Sequence, residues 1–362
     1  MLENVVSKRS RPVAIWLLVG VFMIIVQIIL GGITRLTDSG LSITEWQPLL
    51  GTIPPTTDTA WNDAFEKYKQ LAQYKHLHSY FTLEDFKSIF FWEWFHRVWG
   101  RLIGVVFLIP FIVFLLQKRF TKDMITPMII LFLLGGLQGA IGWIMVQSGL
   151  NDENLYVSHL RLAIHFIAAL GLLVYTMWFA LRLLVRNEQR FFNPSSKKLL
   201  GWIIGLLLVQ LIYGAFMAGL KGALAAPTWP DINGSYVPSN MTSYQGKEGT
   251  FFSAMVNNPI TIHFIHRNLA YLLTILVIVW TMKTFRQNRS KWFNRVKWLP
   301  SLLVLIQVIL GIATVLTSVK KVPQRWGIFE WNAQLHQFVA MMLLLSLITS
   351  LFLHSSKKGA AV

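Results

Sequence analysis

Four histidines carry the chemistry open to this sequence: His96 in Phe95-His96-Arg97, His266 in Ile265-His266-Arg267, and His165 and His336. Each falls inside an otherwise apolar run. An ionisable side chain in lipid is costly and marks function by default, and neutral imidazole is a common ligand of haem iron. A single membrane histidine is more often a hydrogen-bonded packing residue. Four read differently here, because His96 and His266 are 170 residues apart and His165 and His336 are 171 apart. All lie about seven residues inside a helix end, roughly 10 Å deep at 1.5 Å per residue. Histidines facing each other across a helix bundle can clamp a porphyrin.

The elements that must position them follow from composition. A chain of 362 residues that is 54% hydrophobic and 14% charged is not a soluble domain, in which charged residues run near a quarter. Apolar runs long enough to cross about 30 Å of hydrocarbon as helices occur near Val13–Ile33, Phe91–Leu116, Met124–Val146, Ser158–Leu181, Leu199–Gly219, Pro259–Met282, Leu299–Ser318 and Trp331–Leu353. The net charge of +17 is sided. The N-terminal tail, residues 118–123, 182–198 and 283–297, and the C-terminal tail hold 19 Lys and Arg against three acids. That asymmetry places both termini and the short basic loops in the cytoplasm and removes nucleic acid as a partner. The first run follows Lys8, Arg9 and Arg11 like a signal peptide. Without a small-residue cleavage site it is expected to be retained as a spanning helix. The absence of cysteine excludes disulfides, thiolate-ligated haem and iron–sulfur clusters.

The histidine spacing divides the chain into two similar halves, residues 1–190 and 191–362, whose helix pairs keep the same direction. The fold class expected is an all-α polytopic membrane protein, eight transmembrane helices as two parallel-repeat four-helix bundles. A second repeat runs through the odd-numbered helices. Gln27 precedes Gly31, and the same spacing recurs at Gln138 and Gly142, Gln210 and Gly214, and Gln307 and Gly311. Gln and Gly at i and i+4 share a helix face. They serve either close helix packing or a gap for a flat ligand.

Arg35, Arg97, Arg101, Arg161 and Arg267 cluster where haem propionates would emerge. Guanidinium pairs with carboxylate bidentately, although any one of these residues could instead snorkel to headgroups. Glu93 precedes His96 by three residues, and its repeat mate is His263. A carboxylate there must pair or work, which points to one holding half and one reacting half. Proton delivery is the expected role, and an ion pair with Arg97 is the alternative. His76, His78 and His354 read as solvated surface residues, and His159 as an interfacial or supporting one.

The stretches Gly31-Gly32-Ile33-Thr34-Arg35-Leu36-Thr37 with Ser39-Gly40-Leu41-Ser42, Glu93-Trp94-Phe95-His96-Arg97-Val98-Trp99-Gly100-Arg101, Arg161-Leu162-Ala163-Ile164-His165, and the His-Arg and His-Gln pairs at 266 and 336 resemble the haem A synthase family over nearly the whole chain. The resemblance implies an eight-helix enzyme that oxidises the C8 methyl of haem O to the formyl of haem A for terminal oxidases. It further implies a haem b held by His266 and His336. Substrate haem O would bind near His96 and His165, with Glu93 needed for reaction. Contact with haem O synthase (protohaem farnesyltransferase) and an electron donor are implied partners beside the lipid bilayer. Some bacterial members carry a cysteine pair in the first outer loop, which this chain lacks. Trp46-Gln47-Pro48 and Glu84-Asp85-Phe86-Lys87 look like the mitochondrial and proteobacterial branch. With no recognisable transit segment, a bacterial inner membrane is expected. The main rival is a bis-His membrane cytochrome b that only transfers electrons. A parallel-repeat transporter would need helices broken near the midplane, whereas Pro and Gly here gather at helix ends.

Overall fold

A computed structural model describes residues 11–45, 50–239, 241–244, 247–287, 289–322 and 325–355, so Trp46-Gln47-Pro48 and the charged tails lie outside the described residues. The helices are α1 (Arg11–Leu36), α2 (Asp58–Lys69), α3 (Leu83–Leu116), α4 (Lys122–Gln147), α5 (His159–Leu184) and α6 (Pro194–Gly219). They continue as α7 (Gly222–Ala225), α8 (Phe251–Asn257), α9 (Pro259–Phe285), α10 (Lys291–Val296), α11 (Leu299–Thr317) and α12 (Ile328–Leu353). A two-residue antiparallel ribbon, β1 (Ser243–Tyr244) with β2 (Lys247–Glu248), sits in the loop before α8. Among the described residues, eight helices are long and apolar enough to cross a membrane: α1, α3, α4, α5, α6, α9, α11 with α10 leading into it, and α12. These are the eight runs expected from the sequence.

The largest difference is at α3, which starts at Leu83 and not near Phe91. Thr82 and Asp85 form a reciprocal cap there, the Thr82 hydroxyl accepting from the Asp85 amide while the Asp85 carboxylate accepts from Thr82 N at 2.9 Å. The two extra turns bury Phe86, Ile89 and Phe90 against Phe65, Tyr68 and Leu71 of the first long loop. They are covered by protein, so the apolar run that lipid demands does not reveal them.

Helix α1 packs on α3 and α5, α4 on α5, α6 on α9, and α11 on α12. Contacts of α5 with α6 and of α1 with α12 join the halves. The largest apolar cluster draws on α1, α5, α6, α9, α11 and α12, for example Ile28, Leu173, Leu207, Val277, Val304 and Leu347. Helices of both halves therefore share this cluster, whereas α3 and α4 pack in separate ones. The outer faces of α3 and α4 leave Ile109, Ile112 and Leu133 exposed, as bilayer-facing helices do.

Repeat-equivalent positions meet between the halves. Gln27 and Gly31 precede Gln210 and Gly214 by the separation that relates Arg35 to Ala218 and Asp38 to Lys221, 183 residues. Arg35 Nη1 donates to Ala218 O at 2.6 Å, and Lys221 Nζ lies 3.5 Å from Asp38 Oδ1. Asp38 and Lys221 both take left-handed backbone angles, φ 54° and 52°, just beyond α1 and α6. A position touching its own equivalent is what a two-fold relation about an axis between α1 and α6 produces. Lys321 adds a second cation 3.1 Å from Asp38.

Two histidines read as surface residues are buried. His354 is fully enclosed, its Nε2 3.0 Å from Ser196 Oγ and its ring against Phe191 and Phe293. His78 stacks on Phe81 at a 4.0 Å ring separation, and its Nδ1 is 2.6 Å from the Tyr68 hydroxyl. His354 is covered by segments distant in sequence, whereas His78 is covered by aromatic residues on either side of it in the chain. His76 is exposed, as expected.

Candidate active site

Each of the four membrane histidines meets the glutamine and glycine of a neighbouring helix. Gln27 Nε2 on α1 is 3.3 Å from His96 Nε2 on α3, and it donates to His96 O at 3.2 Å. Gln138 on α4 does the same for His165 on α5, at 3.1 Å to Nδ1 and 2.9 Å to the carbonyl. Gln210 on α6 stands 3.4 Å from His266 Nε2 on α9, and Gln307 on α11 stands 3.2 Å from His336 Nε2 on α12. One turn after each glutamine, the glycine leaves the space its ring needs. A Cβ at Gly31, Gly142, Gly214 or Gly311 would approach the Cε1 of His96, His165, His266 or His336 to 3.2, 2.9, 3.4 or 3.0 Å. The packing reading of the Gln–Gly repeat is met, and the gap at each glycine is filled by the protein's own imidazole and not by a flat ligand.

His266 and His336 are brought together as expected, and His96 on α3 and His165 on α5 lie on helices that both pack against α1. The His266 and His336 ring centroids are 6.5 Å apart, with their planes at 71°. A metal–imidazole bond of about 2.0–2.1 Å, with the ring centre about 1.1 Å behind the nitrogen, sets two rings on opposite sides of one metal about 6.3 Å apart. The observed spacing fits. The buried Nδ1 atoms of His96 and His266 have no hydrogen-bond partner among the described residues, which suits imidazoles arranged around a ligand and not around a protein network.

Glu93 departs from the expectation that it stands outside an ion pair. It is 3% exposed, and three donors converge on its two oxygens. Ser42 Oγ and Ile43 N reach Oε2 at 2.7 and 2.8 Å, and Arg97 Nη2 reaches Oε1 at 2.5 Å. Arg97 also donates to Ile43 O and Glu45 O and lies over the Trp143 ring. This cluster clasps the loop after α1 to α3. The equivalent site repeats the clasp with different chemistry. Arg267 Nη2 is 2.9 Å from His263 Nε2, and Arg267 donates to the carbonyls of Thr228, Pro230 and Asp231 in the loop after α6. Arg161 donates to Ile144 O at 2.8 Å from an exposed position, and Arg35 lies between the halves. His159 bridges to Val256 O at 2.8 Å and packs on Phe216, a packing role between α5, α6 and α8.

Comparison with known proteins decides the family. Residues 14–348 match the COX15-CtaA family, described as cytochrome oxidase assembly protein. The chain belongs to that family. Curated relatives named "Heme A synthase" are similar along nearly its full length. One from Flavobacterium psychrophilum is 36% identical over 97% of this chain and all of its own. One from Paramagnetospirillum magneticum is 40% identical over 94% of this chain and 93% of its own, and one from Nitrosospira multiformis is 39% identical over 86% of each. Family membership and the imidazole pairs agree on an all-helical membrane protein with its polar chemistry inside the bundle.

Sequence reasoning missed Ser42 as a partner of Glu93, although it stands in the quoted Ser39–Ser42 stretch. It also missed Glu330 and Gln334, both buried on α12, with Gln334 beside Gly32 of α1. Their i, i+4 spacing on an apolar helix was the available signal.

Proposed function

We propose that this chain is a haem A synthase, oxidising the C8 methyl of haem O to the formyl group of haem A for terminal oxidases. The observation that carries the reading is the matched pair of imidazole couples, His96 with His165 and His266 with His336. Each imidazole is seated on a glycine. The relatives' names supply the reaction.

In this reading the halves divide the work: residues 191–362 hold a resident haem b through His266 and His336, and residues 1–190 receive haem O at His96 and His165. Haem b, when bound, supplies one-electron transfer. Arg35, Arg97, Arg161 and Arg267 include the propionate anchors. Glu93 is the acid–base group of the substrate half: its Oε2 accepts from the Ser42 hydroxyl 2.7 Å away, which offers a relay, and from Ile43 N, while Arg97 fixes the other oxygen. The chain lies in a bacterial inner membrane with both termini cytoplasmic, consistent with the sided charge. It takes electrons from a donor and haem O from a contacting haem O synthase.

Extraction of the haems from detergent-purified protein, with their side groups identified by mass, tests this. Haem b together with haem O, haem A or a hydroxylated form is expected. Haem b as the sole haem, with no conversion of added haem O in the presence of reductant and dioxygen, would establish the electron-transferring cytochrome b instead.

A further inference from the structure

A groove at the basic end of the bundle has no part in the proposed reaction. It runs between the start of α1 and the end of α3, encloses about 390 Å³, and is lined by Arg11, Pro12, Ile15, Trp16, Pro110 and Phe114. On α3, Pro110 lies roughly 21 Å beyond His96 at 1.5 Å per residue. The groove's floor is built by that proline. Pro110 has no N–H to give the carbonyl of Val106 one turn earlier, and Trp16 Nε1 donates to that oxygen instead, at 2.9 Å. The indole is thereby fixed, with the rings of Phe107 and Phe114 at 4.9 and 5.7 Å from it. Ile15 in the groove and Ile112 and Leu116 around Phe114 are exposed, so this surface faces lipid. Arg11, the first residue of α1, stands at the mouth, and the Arg119 guanidinium lies 5.9 Å from the centre of the Phe114 ring. Among the described residues no carboxylate lines the groove; Asp123, the acid that follows α3, accepts from the Thr121 hydroxyl and stands 3.9 Å from Arg182.

We propose that this groove binds the acyl chain of a phospholipid whose anionic headgroup is held by Arg11 and Arg119. Charge decides the occupant. Two guanidiniums that both border Phe114 offer several N–H donors to a phosphate, and basic pockets between spanning helices hold anionic lipid headgroups. An apolar partner helix would cover the same floor but leave both charges without a counter-ion. The depth agrees. Trp16 and Pro110 lie about a turn and a half inside the ends of their helices, roughly 8–9 Å, where headgroup gives way to acyl chain. The groove also closes one end of a helix pair that reaches the candidate active site. Trp16 to Val106 O, Trp99 to Met23 O at 2.9 Å and Gln27 to His96 O at 3.2 Å follow a single antiparallel register of α1 on α3. A lipid wedged at the first of these contacts steadies the two helices that carry Gly31 and His96. The inference stands apart from the haem reading.

The test uses the full chain in neutral detergent and measures, by native mass spectrometry, retention of phosphatidylglycerol against phosphatidylcholine with the same acyl chains. The parent protein should prefer phosphatidylglycerol by about tenfold or more in affinity. Arg11→Gln combined with Arg119→Gln should abolish that preference, whereas Arg286→Gln, at an exposed arginine of the same end, should leave it intact. Ile15→Trp keeps both arginines and fills the groove, so it should lose phosphatidylglycerol as well. Phosphatidylglycerol brominated on its acyl chains should quench a component of the tryptophan fluorescence that Trp16→Phe lacks. Equal retention of the two lipids would overturn the proposal in favour of a generic apolar groove or a partner helix. A preference that Arg286→Gln removes as readily, or that survives Ile15→Trp, would overturn it in favour of diffuse charge at this end of the bundle.

Discussion

Alanine in place of Gly311 and of Gly214 separates the two sides of one proposed haem site by geometry alone. A Cβ at Gly311 would stand 3.0 Å from His336 Cε1 and 3.5 Å from its Nδ1. A Cβ at Gly214 would stand 3.4 Å from His266 Cε1 and 4.0 Å from its Nδ1. Carbon pairs are most favourable at about 3.5–4.0 Å, so the second contact is ordinary and the first requires His336 to yield by a few tenths of an ångström. Overpacking of that kind costs about 1–3 kcal/mol, which as affinity is roughly 5- to 150-fold. Alanine also favours a helix over glycine by about 1 kcal/mol, so any loss at these positions works against an intrinsic gain. Haem b content and the reduced-minus-oxidised spectrum of the purified variants measure the outcome. Gly214→Ala should retain haem b near the parent level, whereas Gly311→Ala should lose most of it or show a shifted spectrum. The substrate half should rank in the same way, with Gly142→Ala, at 2.9 Å from His165, the more damaging to haem O binding and Gly31→Ala, at 3.2 Å from His96, the milder. Equal haem loss at Gly214 and Gly311, or none at either, would refute the claim that these glycines are imidazole seats.

Two further outcomes follow from groups near the long loops. Glu93→Gln turns one of the two oxygens held by Ser42, Ile43 and Arg97 into a donor facing donors, and it removes the charge opposite Arg97. Haem O conversion should fall tenfold or more, proteolysis of the loop after α1 should quicken, and the haem b spectrum should not change; a normal conversion rate would make Glu93 purely structural. His78, outside the spanning segments, is held neutral by burial, its pKa pushed down to about 4, with the Asp38 charge opposing. The unfolded value is about 6.5, so the unfolded loop binds more protons between these limits, and stability is lost as pH falls from about 6.5 towards 4. Hydrogen exchange of residues 68–81 should quicken over that window in the parent protein and much less in His78→Gln; a flat parent profile would count against the buried neutral imidazole.

The eight spans were legible because lipid imposes length and continuity on every one of them, and the four histidines because they interrupt those runs at matching depth. What stayed hidden depended on neighbours. The Gln–Gly spacing marks a helix face but not which helix it meets, so its partnership with the histidines emerged only from packing. Leu83–Phe90 is sheltered by α2 and not by lipid, so hydropathy is silent there, although Thr82 and Asp85 spelled the cap. His354 owes its burial to Phe191, Ser196 and Phe293, remote in the chain, so composition near it carries no trace, whereas His78 is enclosed by Tyr68 and Phe81, whose aromatic character nearby was the signal available.

The repeat also explains why the asymmetry one turn before His96 and His266 matters. Arg97 and Arg267 do the same mechanical work, binding the carbonyls of the loop that follows the preceding helix. Each is met by the residue four positions earlier, Glu93 in one half and His263 in the other. Exchange of carboxylate for imidazole therefore preserves the clasp, and the mechanical role alone gives no reason for the halves to differ. What the exchange alters is charge and proton chemistry. In the first half a carboxylate balances Arg97 and touches the Ser42 hydroxyl, whereas in the second the arginine meets an uncharged acceptor and a row of backbone carbonyls. A half that only holds a haem needs its loop closed and its imidazoles fixed, which both halves achieve alike. A half that also completes an oxidation at a porphyrin methyl needs a group able to hold and move a proton close to His96, and Glu93, one turn away on the same helix, is where the two repeats part.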